Sequence, residues 1–239
     1  MAKEITAEKA SKKKRKREIT VKANKKGRHI IPLQNFLKAL VVPFYFLLKP
    51  YRFYGNKKVK DGACIYICNH YTIFDVIYPA VTTKEGIHFI AKKPIFDAPI
   101  IGGLARKIKA ISVNRDGSDV RALLDCFKCL KNNEKICVFP EGTRNKTDAE
   151  MLPFQGGAAM MAIRQHTPIV PMLIYKKPRL FRMTHILIGE PFELSEYYGR
   201  KLTEEEIAEA DEKLRDRLLT MRKEHTKYLI EKKKKGKQS

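Results

Sequence analysis

Serine is scarce in this 239-residue chain. Ser11, Ser112, Ser118, Ser195 and Ser239 are the full set, and none stands in a G-x-S-x-G turn. That excludes the strand-to-helix elbow on which hydrolases present an activated serine. A complete zinc pattern is also missing. Cys126 and Cys129 form a C-x-x-C within "LLDCFKCLK", but no second C-x-x-C or histidine pair completes it, and the segment reads as a helix interior. With Cys64, Cys68 and Cys137 the cysteines number five, an odd count in apolar surroundings, which reads as reduced thiols. No metal, redox or organic cofactor is expected. No apolar run suffices to cross a bilayer. The stretch Leu33 to Leu48 is interrupted by Gln34, Asn35, Lys38 and Pro43, and a span needs roughly 20 consecutive apolar residues. No secretory signal is expected either, because "KKKRKR" at 12–17 leads into more polar chain.

Acidic residues are outnumbered: 26 Asp and Glu face 49 Lys and Arg, giving a net charge of +23. The excess is uneven. Residues 1–28 carry +9, residues 231–239 carry +4, and the centre keeps +10. The ends read as solvated basic arms on a moderately basic body. Such a surface suits an anionic bilayer, an acidic carrier protein or nucleic acid. Nucleic acid is disfavoured by the lack of any zinc-finger or ribonucleoprotein aromatic signature.

Hydrophobic content of 44% is ordinary for a folded protein. Four parts follow: a disordered basic arm over 1–28, an amphipathic segment over 29–58, a folded domain over 59–230 and a basic tail over 231–239. The segment "IIPLQNFLKALVVPFYFLLKPYRFYG" suits a kinked helix at a membrane interface, with Tyr45, Tyr51, Phe53 and Tyr54 at headgroup depth beside Lys49 and Arg52. A helix packed on the core is the alternative. From residue 60 onward apolar runs at 63–69, 87–92, 111–115, 135–144 (a strand running into a turn), 168–175 and 184–194 alternate with helical stretches at 71–83, 99–110, 117–133, 156–166 and 203–235. Ser118 or Asp119 is placed to cap the third of these helices. This alternation predicts a single layered α/β domain, its sheet mostly parallel or mixed and flanked by helices, preceded by the membrane-interfacial segment.

In such sheets ligands gather beyond the carboxyl ends of the strands. Three strand ends carry chemically capable residues: "CNHYTIFD", "SVNRDG" and "VFPEGTRN". Within one helix His70 and Asp75 would stand about 140° apart. They pair only if His70 precedes the helix and Asp75 lies in its first turn. An aspartate on one ring nitrogen fixes the tautomer and leaves the other nitrogen as a general base. With no protein nucleophile evident, the base has a substrate hydroxyl to act on. In "FPEGTR", Gly142 permits close approach of the backbone and Arg144 can clamp a phosphate. Glu141 can accept from a hydroxyl, and Arg115, Lys92 and Lys93 end neighbouring strands. Cations around one carboxylate describe a pocket for a phosphorylated polyol.

These residues carry a resemblance. "NHYTIFD" resembles the N-H-x-x-x-x-D motif of the 1-acylglycerol-3-phosphate acyltransferases, the glycerolipid acyltransferase family. "AKKPIFDAPIIGGLARKIKAISVNR", "FPEGTRN" and "TPIVPM" resemble that family's further blocks, in the same order over roughly residues 40–195. Thr72 stands where many members carry serine, and Pro94 where an acidic residue is common. The resemblance implies transfer of a fatty acyl group from a coenzyme A or acyl-carrier-protein thioester to lysophosphatidate. Glycerol 3-phosphate or another lysophospholipid remains as an alternative acceptor. It implies that His70 deprotonates the acceptor hydroxyl and that Asp75 orients it. Phe139, Glu141, Gly142, Thr143 and Arg144 would line the glycerol phosphate site, and Arg115 with Lys92 or Lys93 would neutralise the phosphate. A location on the cytoplasmic face of a membrane, peripheral or monotopic, is implied as well.

Overall fold

The computed structural model describes residues 31–56, 61–114, 119–155 and 157–235. The basic arm, the end of the basic tail and Arg115 therefore lie outside the described residues. In chain order the helix α1 (Pro32–Leu48) leads into β1 (Tyr51–Gly55) and β2 (Cys64–Cys68). A 3-10 turn (Ile73–Val76) and α2 (Ile77–Val81) precede β3 (Ile87–Lys92), α3 (Lys93–Asp97), α4 (Ile101–Lys107) and β4 (Ile111–Val113). Then come α5 (Val120–Lys131), β5 (Lys135–Val138), α6 (Ala158–Gln165), β6 (Ile169–Ile174) and β7 (Thr184–Ile188), and last α7 (Glu204–Lys235).

The strands form one seven-stranded sheet in the order β1-β7-β6-β2-β5-β3-β4. Every pairing is parallel except β6 with β7. Every residue of β2, β5 and β6 is buried, because helices cover both faces. The two-residue period sorts their side chains. Ile65, Ile67, Ile136, Val138, Ile169 and Leu173 pack against α5, α6 and α7. Tyr66, Cys68, Cys137, Val170, Met172 and Ile174 pack on the other side, with Tyr45 of α1 and Tyr78 of α2.

Two elements differ from the sequence reading. Residues 51–55, read with the interfacial segment, are an edge strand in parallel register with β7, Tyr51 opposite Thr184 and Gly55 opposite Ile188. Lys93–Asp97 adds a short helix opened by Pro94, whose fixed φ suits a first turn. The expected helix caps resolve to Asp119, whose carboxylate accepts from Ala122 N–H at 3.1 Å. In α7 the buried residues Ala210, Leu214, Leu218, Arg222 and His225 recur every three or four positions, which lays one stripe against the sheet. Three glutamates in its first turn and four lysines in its last complement the helix dipole.

The parallel strands β2, β5, β3 and β4 all end at one edge. The site lies there.

Candidate active site

Asn69 ends β2. Its wholly buried side chain donates to the Ile174 carbonyl at 3.1 Å and accepts from Ile174 N–H at 2.8 Å, standing in for a further step of the β2–β6 ladder. That clamp frees the main chain to turn outward at His70. Thr72 is extended and opens the 3-10 turn that carries Asp75. His70 is thus outside the helix and Asp75 in its first turn, with Nδ1 3.1 Å from Asp75 Oδ2.

Asp75 is fully buried and accepts only. Its Oδ2 takes Tyr71 N–H at 2.6 Å and Thr72 N–H at 2.7 Å, and its Oδ1 takes the Thr72 hydroxyl at 2.8 Å. Surrounded by donors, the carboxylate requires the proton of neutral His70 on Nδ1, leaving Nε2 with a lone pair. The ring is also stacked on Phe139, centroids 4.1 Å apart. Orientation and tautomer are both set by groups of this chain.

The loop after β5 is stapled to the same histidine. Glu141 Oε1 accepts the His70 N–H and Oε2 accepts the Leu152 N–H, each at 2.8 Å. Asn145 N–H donates to the His70 carbonyl at 2.7 Å. Glu141 is buried, and burial lifts its carboxyl above the usual range, while the two backbone donors act against the rise. Both of its oxygens face main chain. The sequence reading aimed this carboxylate at a substrate hydroxyl, and the structure turns it to the protein's own backbone. Gly142 adopts φ +62°, a left-handed conformation that favours glycine, and a Cβ there would also press on the exposed Gln155 side chain at 2.9 Å.

His70, Asp75, Phe139 and Glu141 are therefore in direct contact. Gly142, Thr143 and Arg144 form the exposed crest of the same loop, and Arg144 immediately precedes the stapled Asn145. Lys92 closes β3 and Lys93, exposed, opens α3. Because β5 lies between β2 and β3, these lysines start from a backbone roughly 10 Å across the edge from that of His70.

Two positions escaped the sequence reading. Asn69 was quoted but given no task. Arg222, buried on α7, donates to the carbonyls of Tyr175 and Glu150 and to the Tyr71 hydroxyl at 3.3 Å, holding the residue next to His70. An arginine on the apolar stripe of an amphipathic helix is the signal that marks it. The thiols offer no rival nucleophile. Burial holds Cys68 well above the usual thiol range, and pushes Cys126 and Cys129 up to about 12.

A family model described as Acyltransferase matches residues 50–175. A 1-acyl-sn-glycerol-3-phosphate acyltransferase of Bacillus subtilis is 30% identical over 165 residues, 66% of this chain and 80% of that protein. The enzyme of that name from Helicobacter pylori is 31% identical over 122 residues, covering 50% of this chain and 52% of its own. The chloroplastic BAT2 enzyme of Brassica napus is 33% identical over 123 residues, 50% of this chain but 35% of its length. With the last two, the chain spans about half the relative's length or less. The crystal structure of the 1-acyl-sn-glycerophosphate (LPA) acyltransferase PlsC from Thermotoga maritima shares the fold, with a TM-score of 0.63 at 22% identity, over 82% of this chain and 79% of that one. By family model, relatives and fold, the chain belongs to the acyltransferase family, that of the 1-acyl-sn-glycerol-3-phosphate acyltransferases.

Proposed function

We propose that this protein transfers a fatty acyl group from an acyl-CoA or acyl-carrier-protein thioester to the free hydroxyl of lysophosphatidate, giving phosphatidate, with His70 as general base. The observation that carries this is the His70–Asp75 pair, in which four donors crowd a buried carboxylate and leave Nε2 basic. Nε2 takes the hydroxyl proton as the oxygen attacks the thioester carbon. The tetrahedral adduct then expels the thiolate, and the imidazolium returns its proton to sulfur. One O–H and one C–S bond break; one C–O and one S–H bond form. No covalent acyl-enzyme is needed, in keeping with the absence of a competent nucleophile beside His70.

Arg144 and the lysines at the end of β3, Lys92 and Lys93, are the groups to neutralise the acceptor phosphate, with Arg115 beyond the described residues completing the set. Gly142 and Thr143 would face the glycerol. Glu141 serves this reading as the brace of the histidine loop. The names of the relatives favour lysophosphatidate over glycerol 3-phosphate.

A membrane-surface location follows from α1. Its polar residues point inward: the Gln34 amide donates to the carbonyls of Ile87 and Ile108 and accepts from Ile87 N–H, and Lys38 donates to the carbonyls of Ala80 and Thr83. Its apolar residues Phe36, Leu40, Phe44 and Leu47 face outward, each more than 60% exposed. Leu180, Phe181 and Met183 extend the patch, with Phe181 N–H bonded to the Leu48 carbonyl. Among the described residues no helix is long and apolar enough to cross a membrane. An outward apolar face of this kind fits insertion into one leaflet. Within this patch Leu40, Val41, Phe44, Tyr45, Phe74 and Leu180 line an open groove of about 640 Å³, where an acyl chain would lie. The test is His70→Ala in an acyl-transfer assay with lysophosphatidate and both thioester types. Transfer should fall at least a hundredfold while liposome binding persists. Transfer at the native rate would sink the proposed base.

A further inference from the structure

The helix α5 ends in a Schellman turn. Asn133 adopts φ +66° and its N–H bonds the Leu130 carbonyl, while Glu134 N–H bonds the Cys129 carbonyl, each at 3.0 Å. This turn brings the third helical residue from the end beside the second residue past the cap Asn132, and an apolar pair ordinarily fills those places. Here they are Cys129 and Glu134. A third group meets them from the sheet: His88, second residue of β3, places Nε2 2.8 Å from Glu134 Oε2. His88 Nε2, Cys129 Sγ and a Glu134 oxygen all lie within 4.8 Å of one another.

The histidine is oriented for a cation. Its Nδ1 lies 2.8 Å from the Lys109 carbonyl oxygen, which can only accept, so Nδ1 carries the proton. Nε2 of the neutral ring then presents a lone pair to a carboxylate, and two acceptors at this distance require a positive centre between them. A histidine that donates its second nitrogen to a backbone carbonyl is also the usual form of a metal-bound imidazole.

We propose that His88, Cys129 and Glu134 form a zinc-type metal site. One imidazole, one thiol and one carboxylate match the preference of zinc for N, S and O donors, with water completing the tetrahedron. Bonds of about 2.0–2.3 Å place such ligand atoms roughly 3.3–3.7 Å apart, within the present enclosure once Nε2 and Oε2 separate by about half an ångström. On binding, the Cys129 thiol proton passes to solvent and the thiolate ligates. His88 is at the amino end of β3, roughly 13 Å along the strand from Lys92, so the ion would clamp α5 to β3 away from the acyl-transfer site. The C-x-x-C partner Cys126 takes no part. Glu134 comes from the turn just after α5 and His88 from β3, 41 residues before Cys129, so no local cysteine–histidine spacing marks the site.

The experiment uses the full untagged chain, stripped with chelator and titrated with Zn²⁺ or Co²⁺. One ion per chain should bind, Co²⁺ should give thiolate charge-transfer absorbance, and saturating Zn²⁺ should raise Tm by about 5–10 °C at a hundredfold excess over Kd. Cys129→Ser and Glu134→Gln, both near-isosteric, should each weaken binding at least tenfold with native circular dichroism, and Cys126→Ser should bind as the native chain does. Absence of stoichiometric binding overturns the site. So does full binding by Cys129→Ser, or equal loss in Cys126→Ser.

Discussion

Replacing Asp75 separates chemistry from architecture, because two substitutions break different things. In Asp75→Asn an amide oxygen can take the place of Oδ2, still accepting from Tyr71 N–H, Thr72 N–H and His70 Nδ1–H, while the amide NH₂ donates to the Thr72 hydroxyl. Only the charge is lost. At the observed 3.1 Å, a carboxylate and an imidazolium attract by at most about 5 kcal/mol at an effective dielectric of 20. That ceiling corresponds to between three and four decades of rate, and general base catalysis is typically worth 10²–10⁴. Asp75→Asn should therefore lower kcat by about 10²–10³ with Tm close to native. Asp75→Ala leaves two buried backbone N–H groups unpaired at about 1–3 kcal/mol each, so it should lose roughly 5–20 °C of Tm as well. The assay is thiol release from an acyl thioester at saturating lysophosphatidate, with melting followed by circular dichroism. Native kcat in Asp75→Asn would refute the reasoning and leave Asp75 as a structural staple alone.

Glu141→Gln offers one acceptor to two backbone donors, so stability should fall by about 1–3 kcal/mol and kcat with it, while KM for the acceptor stays near native. A raised KM with unchanged Tm would instead put Glu141 on the substrate. Asp211 is buried, its carboxyl pushed up to about 6 by desolvation, with one oxygen accepting Ala159 N–H at 3.3 Å. A carboxyl raised from 3.8 favours the fold below that value, and the gain is lost as pH rises through about 6, on the order of 3 kcal/mol in all. The Tm of Asp211→Asn relative to native should accordingly climb between about pH 4 and pH 6 and level off above; a flat difference contradicts the assignment. Phe44→Glu with Leu47→Glu, both on the outward face of α1, should weaken binding to anionic liposomes at least tenfold, since each apolar side chain buried contributes about 1.5–3 kcal/mol. Sedimentation with vesicles reads this directly, and undiminished binding would remove α1 as the docking element.

The alternation of buried runs with helices made the parallel sheet legible, because strands covered on both faces leave continuous apolar segments such as those of β2, β5 and β6. The strand β1 was not legible in that way. "YRFYG" is an edge strand with mixed burial, and its aromatic content reads equally well as headgroup anchors. Spacing set the one condition under which His70 and Asp75 meet, a strand end followed by a helix start, and the family motif supplied the reason to pair them. The orientation of Glu141 was not legible. Its direction depends on the unpaired amides of His70 and Leu152, and nothing in "FPEGTR" shows which donors the fold will leave beside it.

The same limit explains α1, where the sequence reading named Gln34, Asn35 and Lys38 only as interruptions of the apolar run and did not say which way they face. Gln34, Asn35 and Lys38 look like interruptions of an apolar helix, and a helical wheel assigns such residues to water. Here the domain surface under α1 presents main-chain groups that lack sheet or helix partners: the carbonyls of Ala80, Thr83 and Lys84 around the end of α2, those of Ile87 and Ile108, and the N–H of Ile87. A buried polar group left unbonded costs about 1–3 kcal/mol, so the polar side chains of α1 are drawn inward to satisfy them. The apolar side chains are left on the outside. A water-soluble contact would favour the opposite arrangement, because it gains from burying Phe36, Leu40, Phe44 and Leu47 rather than exposing them. The inward polar face and the outward apolar face are thus one choice, and the outward face, with the groove by Phe74, is the surface that the proposed leaflet contact would use.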